Sequence, residues 1–135
     1  MLLVDGMNLI GARPDGWWKD RSRAMRLLAW ELRAFVEETG EELTVVFDGR
    51  PIDEVLRGHG IEVQFAPGGT NAADRRIERL VGDHPDPATV TVITSDKALA
   101  RTVTGAGASV IGSGQFRTRL DELAQEAQDP QDAPL

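Results

Sequence analysis

Four aspartates carry the clearest chemical signal in this chain: Asp5, Asp48, Asp74 and Asp96. Asp5 closes the apolar run Leu2-Leu3-Val4, Asp48 closes Leu43-Thr44-Val45-Val46-Phe47, and Asp96 follows the β-branched run at 90–94. Asp74 shares helical spacing with Ile77 and Val81, so it flanks a buried stripe and leans toward the same end of the fold. Carboxylates held close together repel by several kcal/mol unless they are screened, protonated or bound to a cation. An all-oxygen donor set of this kind suits Mg²⁺ or Mn²⁺. Such ions can activate water and stabilise the leaving oxygen of a phosphodiester.

Each aspartate also has a plain structural reading. Asp5-Gly6 and Asp48-Gly49 are common turn dipeptides. Asp96 suits a helix N-cap, and Asp74, three residues after Asn71, has the spacing of a capping box. Their convergence at one edge favours chemistry, and Asp48 is the supporting member because its strand lies to one side of the centre. Asn8 could orient a carboxylate or bind phosphate through its amide, or cap the turn after Asp5. Ser95 could donate to a substrate phosphate or serve as an N-cap, and Gly112-Ser113-Gly114 is a weak phosphate-loop signal. Among the cations, Arg50 follows Asp48, Arg75 follows Asp74 and Lys97 follows Asp96, which suits contact with a scissile phosphate. The competing role for such arginines is ion pairing on their own helix, as for Arg75 with Glu78 or Arg79 with Asp83. Trp17 and Trp18 could stack on bases or form a lid, with one of the pair packed inward and the other exposed. Trp30 reads as core or flank, and His59 and His84 have no partner spacing.

These residues need elements to hold them. The pattern predicts strands at 2–4, 43–47, 61–65, 90–94 and 109–111, alternating with helices. A turn and loop follow Asp5, and then a long helix spans 21–39 with Gly40 as its stop. A short helix is expected at 51–57, and further helices from Asn71, from Asp96 and over 115–127. Alternation of this kind predicts an α/β domain with a parallel five-stranded sheet in the order 3-2-1-4-5 and helices on both faces. Ligands in such sheets bind beyond the carboxyl ends of the strands, near the reversal of winding. That point lies between strands one and four, beside Asp5 and Asp96. The domain is expected over 1–128, with a loose polar tail at 129–135.

The chain has 135 residues, 41% hydrophobic and 27% charged, as expected of one soluble domain. It has no cysteine, which excludes a disulfide framework and thiolate metal ligation. The opening apolar run meets Asp5 too soon to be a signal peptide or a membrane span, so a cytoplasmic, membrane-free protein is expected. A net charge of −7 argues against broad, sequence-independent nucleic-acid binding, although Arg75, Arg76 and Arg79 form a local basic cluster.

Asp5-Gly6-Met7-Asn8-Leu9-Ile10, Val46-Phe47-Asp48, Asn71-Ala72-Ala73-Asp74-Arg75-Arg76-Ile77 and Thr94-Ser95-Asp96 resemble, in order, the motifs of the NYN domain family. The nearest branch is the YacP-like group of bacterial PIN-like nucleases, and the likeness runs from about Leu2 to Leu120. It implies a PIN-like (Rossmannoid) fold and Mg²⁺- or Mn²⁺-dependent cleavage of RNA, single-stranded RNA above all. It further implies Asp5, Asp74 and Asp96 as metal ligands, with Asn8 and Asp48 in support. Two other classes stay open: a phosphohydrolase acting on nucleotides or small phosphoesters, and an inactive RNA- or protein-binding module. A P-loop is absent, and Met7 stands where a haloacid-dehalogenase-type enzyme would need its second aspartate.

Overall fold

The inner runs at 2–5, 43–48 and 91–93 are largely buried on both sides, as strands covered by helices on both faces must be, whereas the edge run at 61–66 alternates with Glu62 exposed. In the computed structural model, which describes residues 1–13, 15–53, 58 and 60–128, five strands form one parallel sheet in the order β3-β2-β1-β4-β5. The strands are β1 (Leu2–Asp5), β2 (Leu43–Asp48), β3 (Ile61–Ala66), β4 (Thr91–Ile93) and β5 (Ser109–Ile111). Leu2 pairs in register with Leu43 on one side and Thr91 on the other, so β1 is the central strand.

The helices are α1 (Gly6–Gly11), α2 (Arg21–Thr39), α3 (Ala72–Gly82), α4 (Lys97–Gly105) and α5 (Ser113–Gln128). The period of two along each strand sorts the core into two layers. Val4, Val45, Phe47 and Ile93 pack beneath α1, α2 and α5, together with Leu9, Leu28, Leu32 and Phe116. Leu3, Val46 and Val92 face the other way, against Ile77 and Val81 of α3 and Leu99 and Val103 of α4.

The long helix starts and ends at residues 21 and 39, as its pattern predicts. The Asp20 side chain caps the Arg23 N–H at its start, and Gly40, at φ 74°, turns the chain out at its end. Three expectations differ. The turn and loop after Asp5 are instead the helix α1, which starts directly on the strand. The last helix begins at Ser113, two residues early, with the Phe116 N–H bonded to the Gly112 carbonyl. Trp30 is neither core nor flank: it is 61% exposed, because Leu28, Ala29 and Leu32 occupy the inward stripe of α2. Residues 51–53 are not helical; the remainder of the expected 51–57 helix, and the tail at 129–135, lie outside the described residues.

Candidate active site at the carboxyl edge of the sheet

The edge is built from β1 outward. Gly6 opens α1 immediately after Asp5 because no other residue fits: a Cβ there would stand 2.5 Å from Phe47 Cδ1 and 3.0 Å from the Val46 carbonyl oxygen. The close approach of α1 to β2 leaves Asp5 only 4% exposed at the end of the central strand. Thr94 Oγ1 donates to Asp5 Oδ2 at 3.0 Å. The same hydroxyl accepts the Asp96 N–H at 3.1 Å, so one threonine joins the two strand ends. Burial pushes the Asp5 carboxyl up from 3.8 to about 6, and the negative charges of Asp74 and Asp48 push it the same way. The Thr94 bond opposes the shift, as does the nearby Asn8 N–H, which makes no capping bond with the Asp5 side chain.

Asp74 lies half-buried in the first turn of α3. Its pKa is also raised, first by desolvation and then by the charges of Asp96, Asp48 and Glu78; Arg75 pulls it back. Asp74 therefore senses both Asp96 and Asp48, and Asp5 senses Asp74 and Asp48. The four aspartates form one electrostatic group. Within it, Asp48 and Asp96 each commit one oxygen to backbone. Asp48 Oδ1 accepts the Ala73 N–H at 2.9 Å, while Asn71, the residue before α3, contributes no side-chain cap. Asp96 Oδ1 caps α4 by accepting the Leu99 N–H at 3.0 Å. Asp74 makes no hydrogen bond or ion pair among the described residues. Nor do three or more His, Cys, Asp or Glu side chains form a ready-made cation cage there.

Asn8 holds the other side of the edge together. Its Oδ1 accepts the Ser95 N–H at 2.8 Å and the Ser113 hydroxyl at 2.6 Å. Ser95 Oγ in turn accepts the Ser113 N–H at 2.8 Å. The ends of β1, β4 and β5 are thereby linked through three polar side chains. The Asn8 amide NH₂ makes no hydrogen bond among the described residues, so its donors remain available at the edge.

The model of the YacP-like NYN domain matches residues 2–133. The chain belongs to the YacP-like NYN domain family. It is 33% identical to the YacP protein of Bacillus subtilis (strain 168) over 135 residues, which cover 95% of this chain and 75% of that protein. The crystal structure of Rae1 (YacP) from Bacillus subtilis matches with a TM-score of 0.78 at 29% identity, over 95% of this chain and 77% of that one. Its W164L mutant matches with a TM-score of 0.77 at 28% identity, over 94% and 78%. The fold is thus PIN-like, and membership of the NYN family points to nuclease-type, RNA-related function. No helix among the described residues is long and apolar enough to cross a membrane.

The YacP-like edge also sorts the cations. Arg50 and Lys97 are exposed and make no hydrogen bond or ion pair among the described residues. Arg75 is exposed too, but its guanidinium reaches the carbonyls of Thr70 (3.3 Å) and Gly68 (3.5 Å), bracing the loop before α3. It does not pair with Glu78, nor Arg79 with Asp83. Arg21, one of the basic cluster Arg21, Arg23 and Arg26, donates to the Asp48 carbonyl at 2.7 Å and ties the start of α2 to this edge. The Thr94 bridge and the role of Ser113, whose partner Asn8 is 105 residues away, have no signature in the sequence. A Thr or Ser at a strand end gives no local sign of such a contact.

Proposed function

We propose that this protein is a ribonuclease that hydrolyses RNA phosphodiester bonds at the carboxyl edge of its sheet, with Asp5, Asp74 and Asp96 as ligands to Mg²⁺ or Mn²⁺. The observation that carries the proposal is a buried Asp5 whose neighbours, Asp74 and Asp48, add negative charge and no nearby cation pairs with it. Hard carboxylate oxygens gathered around a buried aspartate are a donor set suited to a hard divalent ion. Bound there, the ion would offset the crowded charge and act as a Lewis acid on a phosphoryl oxygen.

The chain's own groups do the remainder. Thr94 fixes Asp5 and the Asp96 backbone relative to each other. Asn8, held through its carbonyl, presents its NH₂ to a phosphate oxygen, and the Ser95 hydroxyl retains a proton it can donate. Arg50, Lys97 and the exposed face of Arg75 offer cations for the scissile phosphate and its neighbours. Water is the nucleophile: its oxygen bonds to phosphorus as one P–O ester bond breaks, leaving a phosphomonoester and a free hydroxyl. The chain has no cysteine, so a covalent intermediate on a thiol has no candidate here. Asp48 supports the arrangement from the side while capping α3.

The test is cleavage of single-stranded RNA by pure protein with Mn²⁺ or Mg²⁺, beside Asp5→Asn and Asp96→Asn. Loss of at least about a hundredfold in rate is expected in both variants, the scale of removing a principal electrostatic contributor. Equal cleavage by all three proteins would refute the site. Turnover of nucleotides without RNA cleavage would move the substrate to small phosphoesters, which suits a net charge of −7.

A further inference from the structure

Helix α2 carries two stripes. Met25, Leu28, Leu32, Phe35 and Val36 are buried against the sheet. Arg23, Leu27, Trp30, Ala34 and Glu37 recur at alternating intervals of four and three residues on the outer side, and all are exposed. That interval pattern is the seam of a coiled coil. Trp30 is 61% and Leu27 44% exposed; with Trp18 they are the exposed large hydrophobic residues among those described. A shallow groove lies beside the Trp30 ring, bounded by Arg33, Ala34 and Glu37. Arg33 and Glu37 pair along its rim at 3.2 Å.

We propose that this outer stripe is a homodimer interface, in which α2 packs antiparallel on α2 of a second copy across a two-fold axis beside Trp30. The charge order along the helix selects both partner and direction. Its first turns carry Arg21, Arg23 and Arg26; its end carries Glu37 and Glu38, followed by Glu41 and Glu42. Parallel pairing would set arginine on arginine and glutamate on glutamate. Antiparallel pairing brings Arg23 to the second copy's Glu37 and Glu38 and sets Leu27 over its Ala34, a large residue facing a small one. Each Trp30 then seats in the groove of the other copy. The stripe is its own complement only in this orientation, which is the requirement of a two-fold interface. An aromatic at the centre with charged residues at both ends is also the usual arrangement of an interface hot spot. This inference is independent of the carboxylate edge.

Sedimentation velocity across a wide concentration range tests it. The wild type should show a reversible monomer–dimer equilibrium, and Trp30→Glu should raise the dissociation constant roughly tenfold or more, about 1.4 kcal/mol. Arg23→Glu and Glu37→Arg should each weaken the dimer, and the two together in one chain should restore it. Because the chain has no cysteine, direction can be read by cross-linking. Leu27→Cys mixed with Ala34→Cys should form a disulfide, whereas neither alone should. Circular dichroism confirms that each variant is folded, and the cross-linking arm stands if Trp30→Glu is not. A wild type that stays monomeric throughout, an unchanged dimer in Trp30→Glu, or efficient cross-linking of either cysteine variant alone would overturn the proposal.

Discussion

Asp5 is the residue at which stability and chemistry oppose each other. Its folded pKa of about 6 stands above its ordinary 3.8. Below about pH 4 the folded and unfolded chains both hold the proton, and the contribution to stability is fully present. It is lost as the pH rises through 6, where the folded state must give up a proton that the unfolded chain has already released. A shift from 3.8 to about 6 corresponds to about 3 kcal/mol. Asp5→Asn keeps an acceptor for Thr94 and removes the charge. In the presence of a chelator it should match the wild type near pH 4 and exceed it by up to about 3 kcal/mol above pH 7, measured by urea unfolding. A difference that does not grow across that window would mean that Asp5 is not the strained group. The aspartates themselves were legible in the sequence, because all four follow or flank apolar runs that had to become strands and helices. Their partners were not. Thr94, Asn8 and Ser113 act across 87 to 105 residues of chain, and nothing local marks such contacts.

At the level of elements, the period of the hydrophobic residues carried most of the fold. All five strands and the long helix α2 are regular enough to be read directly, and their alternation leaves few topologies other than β3-β2-β1-β4-β5. Helix α1 was hidden because its six residues make less than two turns, too few to display a period, and Asp-Gly imitates a turn. Here Gly6 acts through closeness, not through unusual torsions: its role is to let α1 sit against Phe47 and the Val46 carbonyl. Gly6→Ala should therefore cost about 1–3 kcal/mol by overpacking, seen as a lower urea midpoint with little change in slope. A neutral Gly6→Ala would mean that α1 can retreat from β2, and that Asp5 is less enclosed than its burial implies. Trp30 shows the opposite limit of sequence reading. Large aromatic residues on an amphipathic helix are usually inward, and only the tertiary layout reveals that the inward stripe was already full.

For the molecule as a whole, charge sets the style of any RNA contact. With a net charge of −7, general attraction disfavours a polyanion, so the proposed RNA contact would rest on the few cations near the edge. The proposed contacts from Arg50, Arg75 and Lys97 would give a salt slope of about −2 for single strands, taking about 0.7 per phosphate. Anisotropy of a labelled oligonucleotide with Asp96→Asn, followed across potassium chloride concentration, measures this slope. A much steeper dependence would point to a larger basic surface than these three residues provide. The Asn8 junction has one more consequence, which concerns the order in which the protein is made. Asn8 and Asp5 leave the synthesis machinery first, but the groups that hold Asn8 in place are at 95 and 113. β2 can pair on β1, and β3 on β2, well before then, so the nascent chain can be partly folded while its carboxyl edge is still open. The edge is completed only when the start of α5 arrives, and an incomplete chain has a sheet without a finished site.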